Sequence, residues 1–301
     1  MQYYPGPEIL QLGDLNHNIG TFVQKTAMEH IDPILRVIQA LPEAPEGIDI
    51  VTWRGVLTRV LATPFDHRTE WCMHGMLAGG RLYIDEQRLE KHPSPREAQG
   101  TYWGHKFETL CMIPHDLPRA SVPPLAVRRE APVNTNAEFA TVATTRLGRH
   151  RFILGAEVDG LDESGREYIE LKTSKAIEGP ADQQIFNQKL MKFWLQSYLI
   201  GIERILVGFR DRRARLKSLE YLAVREIPRL VRGKVQWDPN ALLLMGDLFF
   251  AWLRERVQHY AVEGQELKFR IRHRPNGNGV IEFDLMPDLP SFLPSWFTRY
   301  S

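Results

Sequence analysis

The chain has 301 residues, 43% hydrophobic and 25% charged, which fits a globular protein with a sizeable core and excludes a disordered or fibrous chain. Its 38 Lys and Arg stand against 37 Asp and Glu, a formal net charge of +1, so the balance excludes neither a nucleic-acid ligand nor any other; clustering matters more than the sum. No apolar run approaches the roughly 20 residues that span a bilayer, the N-terminus shows no leader pattern, and Cys72 and Cys111 lack C-x-x-C spacing and read as reduced thiols of an intracellular protein.

In chain order, residues 48–61 begin apolar and β-branched and then turn helix-compatible. Residues 71–76 and 81–84 flank Ala78-Gly79-Gly80 and predict a hairpin. Cys72-Met73-His74 offers two soft ligands at most, and a buried strand thiol accounts for it as well. Tyr102-Trp103-Gly104-His105-Lys106-Phe107-Glu108 places a carboxylate near a glycine that would allow close backbone approach. Residues 112–132, rich in Pro and Arg, predict a long exposed loop. A helix is predicted over residues 181–201, with Phe186, Leu190, Phe193, Trp194, Ser197 and Tyr198 at helical spacing and Gly201 as its cap. Asp238-Pro239 opens another helix through Leu242, Met245, Phe249, Trp252 and Arg256. Residues 267–273 and 280–285 predict a second hairpin around Asn276-Gly277-Asn278-Gly279. Basic clusters recur at residues 146–151, 210–217, 225–234 and 270–274, each either a solvated face or part of a nucleic-acid groove. With no repeat and no evident break, residues 1–301 read as one mixed α/β domain.

The chemistry concentrates in residues 152–173. Both Phe152 to Asp159 and Tyr168 to Thr173 alternate as strands, with turn residues Asp162-Glu163-Ser164-Gly165 between them. Folded as a hairpin, they would converge Glu157, Asp159, Glu170 and Lys172 on one face. Packed carboxylates repel unless a cation sits among them. Hard oxygen ligands beside a lysine suit Mg²⁺ or Mn²⁺ and a phosphate substrate; paired surface charges on a solvated hairpin are the alternative. Lys189, Lys192 and Gln196 can share one side of the predicted helix, and Arg54 could bind phosphate bidentately or pair with a carboxylate.

These residues fall in strings that resemble the decapping exoribonuclease (DXO) family. The strings are TWRGVLTRVLATPF at 52–65, YWGHKFE at 102–108, VNTNAEFATV at 133–142, GAEVDG at 155–160, YIELKTSK at 168–175, KLMKFWLQSYLIGIERILVGFRD at 189–211 and FLPSW at 292–296. The resemblance implies a mixed α+β fold of two β-sheets flanked by helices, with the active site in a pocket between them. It implies metal ligands at Glu108, Glu157, Asp159, Glu170 and the backbone carbonyl of Leu171. Lys172 and Gln196 match residues near the scissile phosphate, and Arg54 matches an arginine turned toward substrate; Lys172, Gln196 and Glu157 are the candidate catalytic groups. The implied activity is Mg²⁺- or Mn²⁺-dependent hydrolysis at RNA 5′ ends: decapping of incompletely capped or NAD-capped RNA, pyrophosphate release from triphosphate ends and, in some members, 5′–3′ degradation. A nuclear location and a 5′–3′ exoribonuclease partner are implied for fungal members. Residues 110–132 depart from the pattern expected of partner-binding members, and the first 45 residues match loosely. Two other classes stay open: a weakly catalytic subunit that activates an exoribonuclease, and a DNA nuclease of the PD-(D/E)XK type.

Overall fold

The structure is a computed structural model that describes residues 2–3, 9–25, 30–43, 45–87, 93–113, 121–136, 139–162, 164–275 and 279–298. In chain order the elements are β1 (Gln2–Tyr3), α1 (Ile9–Leu12), α2 (Asp32–Ala40), β2 (Ile50–Trp53), α3 (Arg54–Ala62), β3 (Trp71–Ala78) and β4 (Arg81–Gln87). Then come α4 (Pro95–Cys111), β5 (Met112–Ile113), α5 (Leu125–Glu130), β6 (Ala140–Leu147), β7 (His150–Glu157), β8 (Gly160–Leu161) and β9 (Tyr168–Lys175). The chain ends with α6 (Pro180–Tyr198), β10 (Arg204–Arg210), β11 (Leu216–Ala223), α7 (Ile227–Val231), α8 (Pro239–Tyr260), β12 (Leu267–His273) and β13 (Ile281–Leu285). Two compact units emerge, each assembled from three separate stretches of sequence: Met1–Ala27, Lys91–Ala140 and Glu157–Val235 in the first, and Met28–Glu90, Thr141–Ala156 and Gln236–Ser301 in the second.

Among the described residues, the first unit holds a six-stranded sheet ordered β11-β10-β9-β8-β1-β5. Its centre is the parallel pair β9 and β10, in register from Arg204↔Ile169 to Arg210↔Lys175. Alternation divides β9 cleanly. Ile169 and Leu171 point into a core with Leu206 and with Tyr102, Trp103, Phe107 and Leu110 of α4. Gly208 makes this packing possible, because a Cβ there would sit 2.8 Å from Cε2 of Phe107. The opposite face of β10 meets α6, where Phe186 lies 5.2 Å from Phe209 between ring centroids. Ser94 starts α4 with a reciprocal capping box to Glu97. Gly201, at φ 75, ends the turn after α6 as predicted.

The second unit's sheet is ordered β13-β12-β3-β4-β2-β7-β6. The hairpin of β3 and β4 forms as expected, with Gly79 and Gly80 at φ 54 and 75 in the left-handed region that such tight turns demand. Its core joins Ile34 and Leu35 of α2 to Val51, Met76, Tyr83, Ile153 and Phe297. Asp238 caps α8 by accepting from the Ala241 amide at 2.9 Å.

α8 runs through Leu242, Met245, Phe249, Trp252 and Arg256 as expected, and its buried residues are Leu242, Gly246, Phe249, Phe250, Leu253 and Val257. Gly246 is a point of close approach, where a Cβ would meet Leu147 at 2.4 Å and Leu61 at 2.8 Å. Other expectations need correcting. Residues 112–132 are not simply a loop: α5 forms there with Leu125 and Arg128 buried, although 114–120 lie outside the described residues. The turn at 276–278 also lies outside them. Gly104 sits inside α4 with nothing within 4 Å of an added Cβ, so no close approach explains it.

Candidate active site

The carboxylate segment is not one hairpin. β7 belongs to the seven-stranded sheet and ends at Glu157; the strand that pairs with β9 is the short β8, through Gly160↔Ile169 and Leu161↔Tyr168. The physical reason is length. The turn is built by Asp162, whose Oδ1 accepts from the Ser164 amide at 3.0 Å and its hydroxyl at 2.6 Å, and only two residues remain on its near side to pair. β8 therefore leaves the edge of β9 beyond Ile169, and Asp159 takes that position instead: its carboxylate accepts the Leu171 amide hydrogen. A strand residue projects its N–H and its C=O to the same edge, so the Leu171 carbonyl points to the side where Asp159 lies.

On the adjoining face of β9, Glu170 is buried, 2% exposed, and its carboxylate receives the Lys172 ammonium. Glu108, near the end of α4, is half-buried, and its carboxylate lies 3.1 Å from His105 Nδ1, accepting from it in the tautomer that carries the proton there. Asp159 feels all of these. Burial pushes its carboxyl well above the usual range, and the charges of Glu170 and Glu108 push it further; Lys172 and the Leu171 amide pull the other way. Burial acts to lower the Lys172 ammonium, but Glu170, Asp159 and Glu108 outweigh it and hold its proton more tightly than usual. The structure thus brings Glu108, Asp159, Glu170, Leu171 and Lys172 into one electrostatic neighbourhood in the first unit. Glu157 is exposed at the end of β7, Gln196 is half-buried on α6, and Arg54 opens α3 in the second unit.

Among the described residues no group of three or more His, Cys, Asp or Glu side chains forms a finished metal cage, and the Cys72-Met73-His74 stretch supplies none. The chemistry of the donor set nevertheless fits a hard divalent cation. The oxygens are carboxylate and carbonyl, the ligand class of Mg²⁺, Mn²⁺ and Ca²⁺. Burial first, and then the charges of Glu170 and Glu108, raise the Asp159 carboxyl, and a cation among these oxygens would offset both.

Two supporting residues escaped the sequence reading. Lys106 is fully buried and donates to the carbonyls of Arg129 at 2.6 Å and Ala131 at 3.2 Å, tying α5 to α4 just ahead of Glu108. Arg128 is buried too and donates to the Leu110 carbonyl at 2.6 Å. Lys106 shares the helical spacing of Trp103, Phe107 and Leu110, and that position was its one signal.

The family described as "RAI1 like PD-(D/E)XK nuclease" matches residues 1–298. A relative named decapping nuclease RAI1 from Emericella nidulans is 36% identical over 275 residues, covering 86% of this chain and 76% of its own. Among solved structures, Scheffersomyces stipitis Rai1 has the same fold, with a TM-score of 0.84, 22% identity and coverage of 99% of this chain and 89% of that one. S. pombe Rai1, solved in complex with 3′-FADP, gives a TM-score of 0.77 at 26% identity, covering 95% and 86%. With this match along its length and a relative above a third identical, the chain belongs to the RAI1-like PD-(D/E)XK nuclease family.

Proposed function

We propose that this protein is a metal-dependent hydrolase of RNA 5′ ends, acting in decapping and in pyrophosphate release from triphosphate ends. The observation that carries the reading is the strand β9: Glu170 and Lys172 stand together on one face while Asp159 closes on the Leu171 amide at its edge. A carboxylate pair beside a lysine is the working part of a phosphodiester-cutting site. The names of the Emericella relative, a decapping nuclease, and of the S. pombe structure, a nucleotide complex, support RNA ends as the substrate class.

Asp159, Glu170, Glu108, Glu157 and the Leu171 carbonyl would hold Mg²⁺ or Mn²⁺, which when bound supplies charge for the attacked phosphate and lowers the pKa of water. The chain's own groups do the rest. Lys172 carries a compact point charge that moves from Glu170 to a phosphate oxygen and offsets charge as it develops. Gln196 offers an amide that can orient the attacking water or a phosphate oxygen. Glu157 has the solvent access needed to take the proton that water loses on attack. Arg54 offers a planar fork for a further phosphate of the 5′ end. Water adds to phosphorus, the bond to the leaving oxygen breaks, and that oxygen recovers a proton from solvent.

The test is a panel of purified protein against 5′-triphosphate RNA, capped RNA, NAD-capped RNA and single-stranded DNA, with Mg²⁺ or Mn²⁺ and with chelator. Hydrolysis confined to RNA 5′ ends and lost with chelator is expected. Cleavage of DNA in preference, or no cleavage of any substrate, would remove this reading. Nuclear residence and association with a 5′–3′ exoribonuclease belong to the same proposal, and tagging the protein in its own cells for imaging and co-purification checks both.

A further inference from the structure

α4 and α5 close each other's last turn. The final carbonyls of a helix have no partner within it. Lys106 of α4, fully buried, donates its ammonium to two such carbonyls at the end of α5, those of Arg129 at 2.6 Å and Ala131 at 3.2 Å. Arg128 of α5, 7% exposed, donates in return from Nη1 to the Leu110 carbonyl in the last turn of α4, at 2.6 Å. A third segment locks the pair. The Tyr102 hydroxyl donates to the His17 carbonyl at 2.5 Å, and Arg129 Nη2 donates to His17 Nδ1 at 3.1 Å. Nδ1 is therefore the acceptor, and Nε2 carries the proton and donates to the Glu130 carboxylate at 2.9 Å. Asn18 Nδ2 adds a bond to the Glu130 carbonyl at 3.1 Å.

Stability alone does not account for these residue types. Two buried cations are a costly way to join helices, and well-packed apolar side chains often serve as well or better. Burial weakens the hold of Lys106 on its proton, with Glu130 opposing that effect and Arg129 adding to it. The turn that the two cations hold carries Glu108. A carboxylate in the last turn of a helix faces the negative end of the macrodipole and is disfavoured there, and cations set around that end offset the penalty. On either side of Glu108, Phe107 and Leu110 share one core with Ile169 and Leu171 of β9. The Leu171 amide is in turn the group that Asp159 accepts. The clamp thus brackets Glu108, from Lys106 before it to Leu110 after it, and seats its turn against the strand beside which the other oxygens stand.

We propose that Lys106 and Arg128 are positioning residues for the metal site: by tying the ends of α4 and α5 together, they hold Glu108 where one divalent cation can reach it together with Asp159. The proposal rests on the reading of this cluster as a site for Mg²⁺ or Mn²⁺. Neither residue touches the ion or the substrate. Both act through Glu108, so their loss appears in metal affinity and disappears once Glu108 itself no longer binds. α5 is then a working part of the site although it brings no ligand, in the way that groups behind a ligand fix its orientation in other metal sites.

Mn²⁺ binding to the folded protein, followed by electron paramagnetic resonance without RNA, tests this. Lys106→Met, Glu108→Gln and the double variant are compared with wild type. Lys106→Met should weaken Mn²⁺ binding about tenfold, as expected for a group that orients a ligand. The double variant should bind no more weakly than Glu108→Gln alone, because both changes remove the same contact. Affinity for 5′-phosphorylated RNA in chelator should be unchanged in Lys106→Met. Phe209→Leu loosens the α6 side of the same sheet without touching the clamp and should leave Mn²⁺ affinity as it is. Should Lys106→Met fail to fold, Arg128→Lys, which keeps the charge and shortens the reach, takes its place in the same comparison with a smaller loss. Unchanged Mn²⁺ affinity in the folded clamp variant, a loss that adds to that of Glu108→Gln, or an equal loss in Phe209→Leu overturns the proposal. A wild type that binds no Mn²⁺ overturns instead the metal site on which it rests.

Discussion

Replacing Asp159 with Asn keeps the side chain's shape and its acceptor for the Leu171 amide while removing one negative charge from beside Glu170 and Glu108. A hydrogen bond to a charged acceptor contributes about 1.5–3 kcal/mol and a neutral one about 0.5–1.5, so the exchange costs roughly 1 kcal/mol at that bond. Relief of burial and of carboxylate repulsion acts in the opposite direction. The metal-free variant should therefore melt close to wild type or above it. Metal should separate the two. An ion at a hundred times its Kd stabilises the folded state by about 2.7 kcal/mol, which raises Tm by on the order of 5 °C in a protein of this size. Wild type should show that shift on moving from chelator to Mg²⁺ or Mn²⁺, and Asp159→Asn should not. Hydrolysis of every RNA 5′ end should fall together and by more than the about 10–100-fold typical of losing a group that merely orients a ligand. Differential scanning calorimetry with and without metal, on protein whose turnover is measured in parallel, checks both halves. A variant that kept the metal-induced shift and its turnover would remove Asp159 from the site, and one that unfolded in chelator would show the carboxylate to be structural.

Four further outcomes are expected. Lys172→Ala should reduce kcat by about 10²–10³-fold with little change in RNA affinity, because its charge acts where phosphate charge develops; single-turnover kinetics beside binding isotherms separates the two. Capped RNA should lose its cap as an intact dinucleotide, since a carboxylate-lysine site suits a phosphodiester with a ribose oxygen leaving. Chromatography of cap-labelled products would instead show free guanosine mono- or diphosphate if the substrate lies in another register. Gly208→Ala drives a methyl to within 2.8 Å of Phe107, next to Glu108, and should cost about 1–3 kcal/mol of stability and lower turnover with it; chemical denaturation beside an activity assay reads both. His74, His150 and His273, all in the second unit, are held by burial below the usual imidazole pKa. They are neutral when folded and take up protons when unfolded, so their contribution to stability is complete above the unfolded imidazole pKa and is lost as pH falls toward the depressed folded values. Tm measured from neutral to mildly acidic pH should fall, and fall less in His150→Gln.

The sequence by itself determined the local elements and the chemistry of the site. Period-two alternation put Glu170 and Lys172 on one face of β9, Asp238-Pro239 started α8, the paired glycines turned β3 into β4, and Gly201 closed the turn after α6. These follow from backbone geometry over a few residues, and side-chain order along the chain suffices to read them. Which strands pair did not follow. The alternation of residues 152–159 is satisfied equally by a hairpin with β9 and by a place in the other sheet, because periodicity fixes a strand's faces and leaves its neighbours open. Only the tertiary structure gave β9 the short β8 as partner and left its edge to Asp159. The roles of Lys106 and Gly246 escaped the sequence for a related reason. A buried lysine is tolerable only where carbonyls from another helix arrive to receive it, and a glycine counts as core only where another chain segment comes within contact. The pairing of Arg210 with Trp103 across 107 positions of sequence is of the same kind. Such contacts join residues distant in the chain, and their energy depends on distance and burial, which exist only once the fold is made.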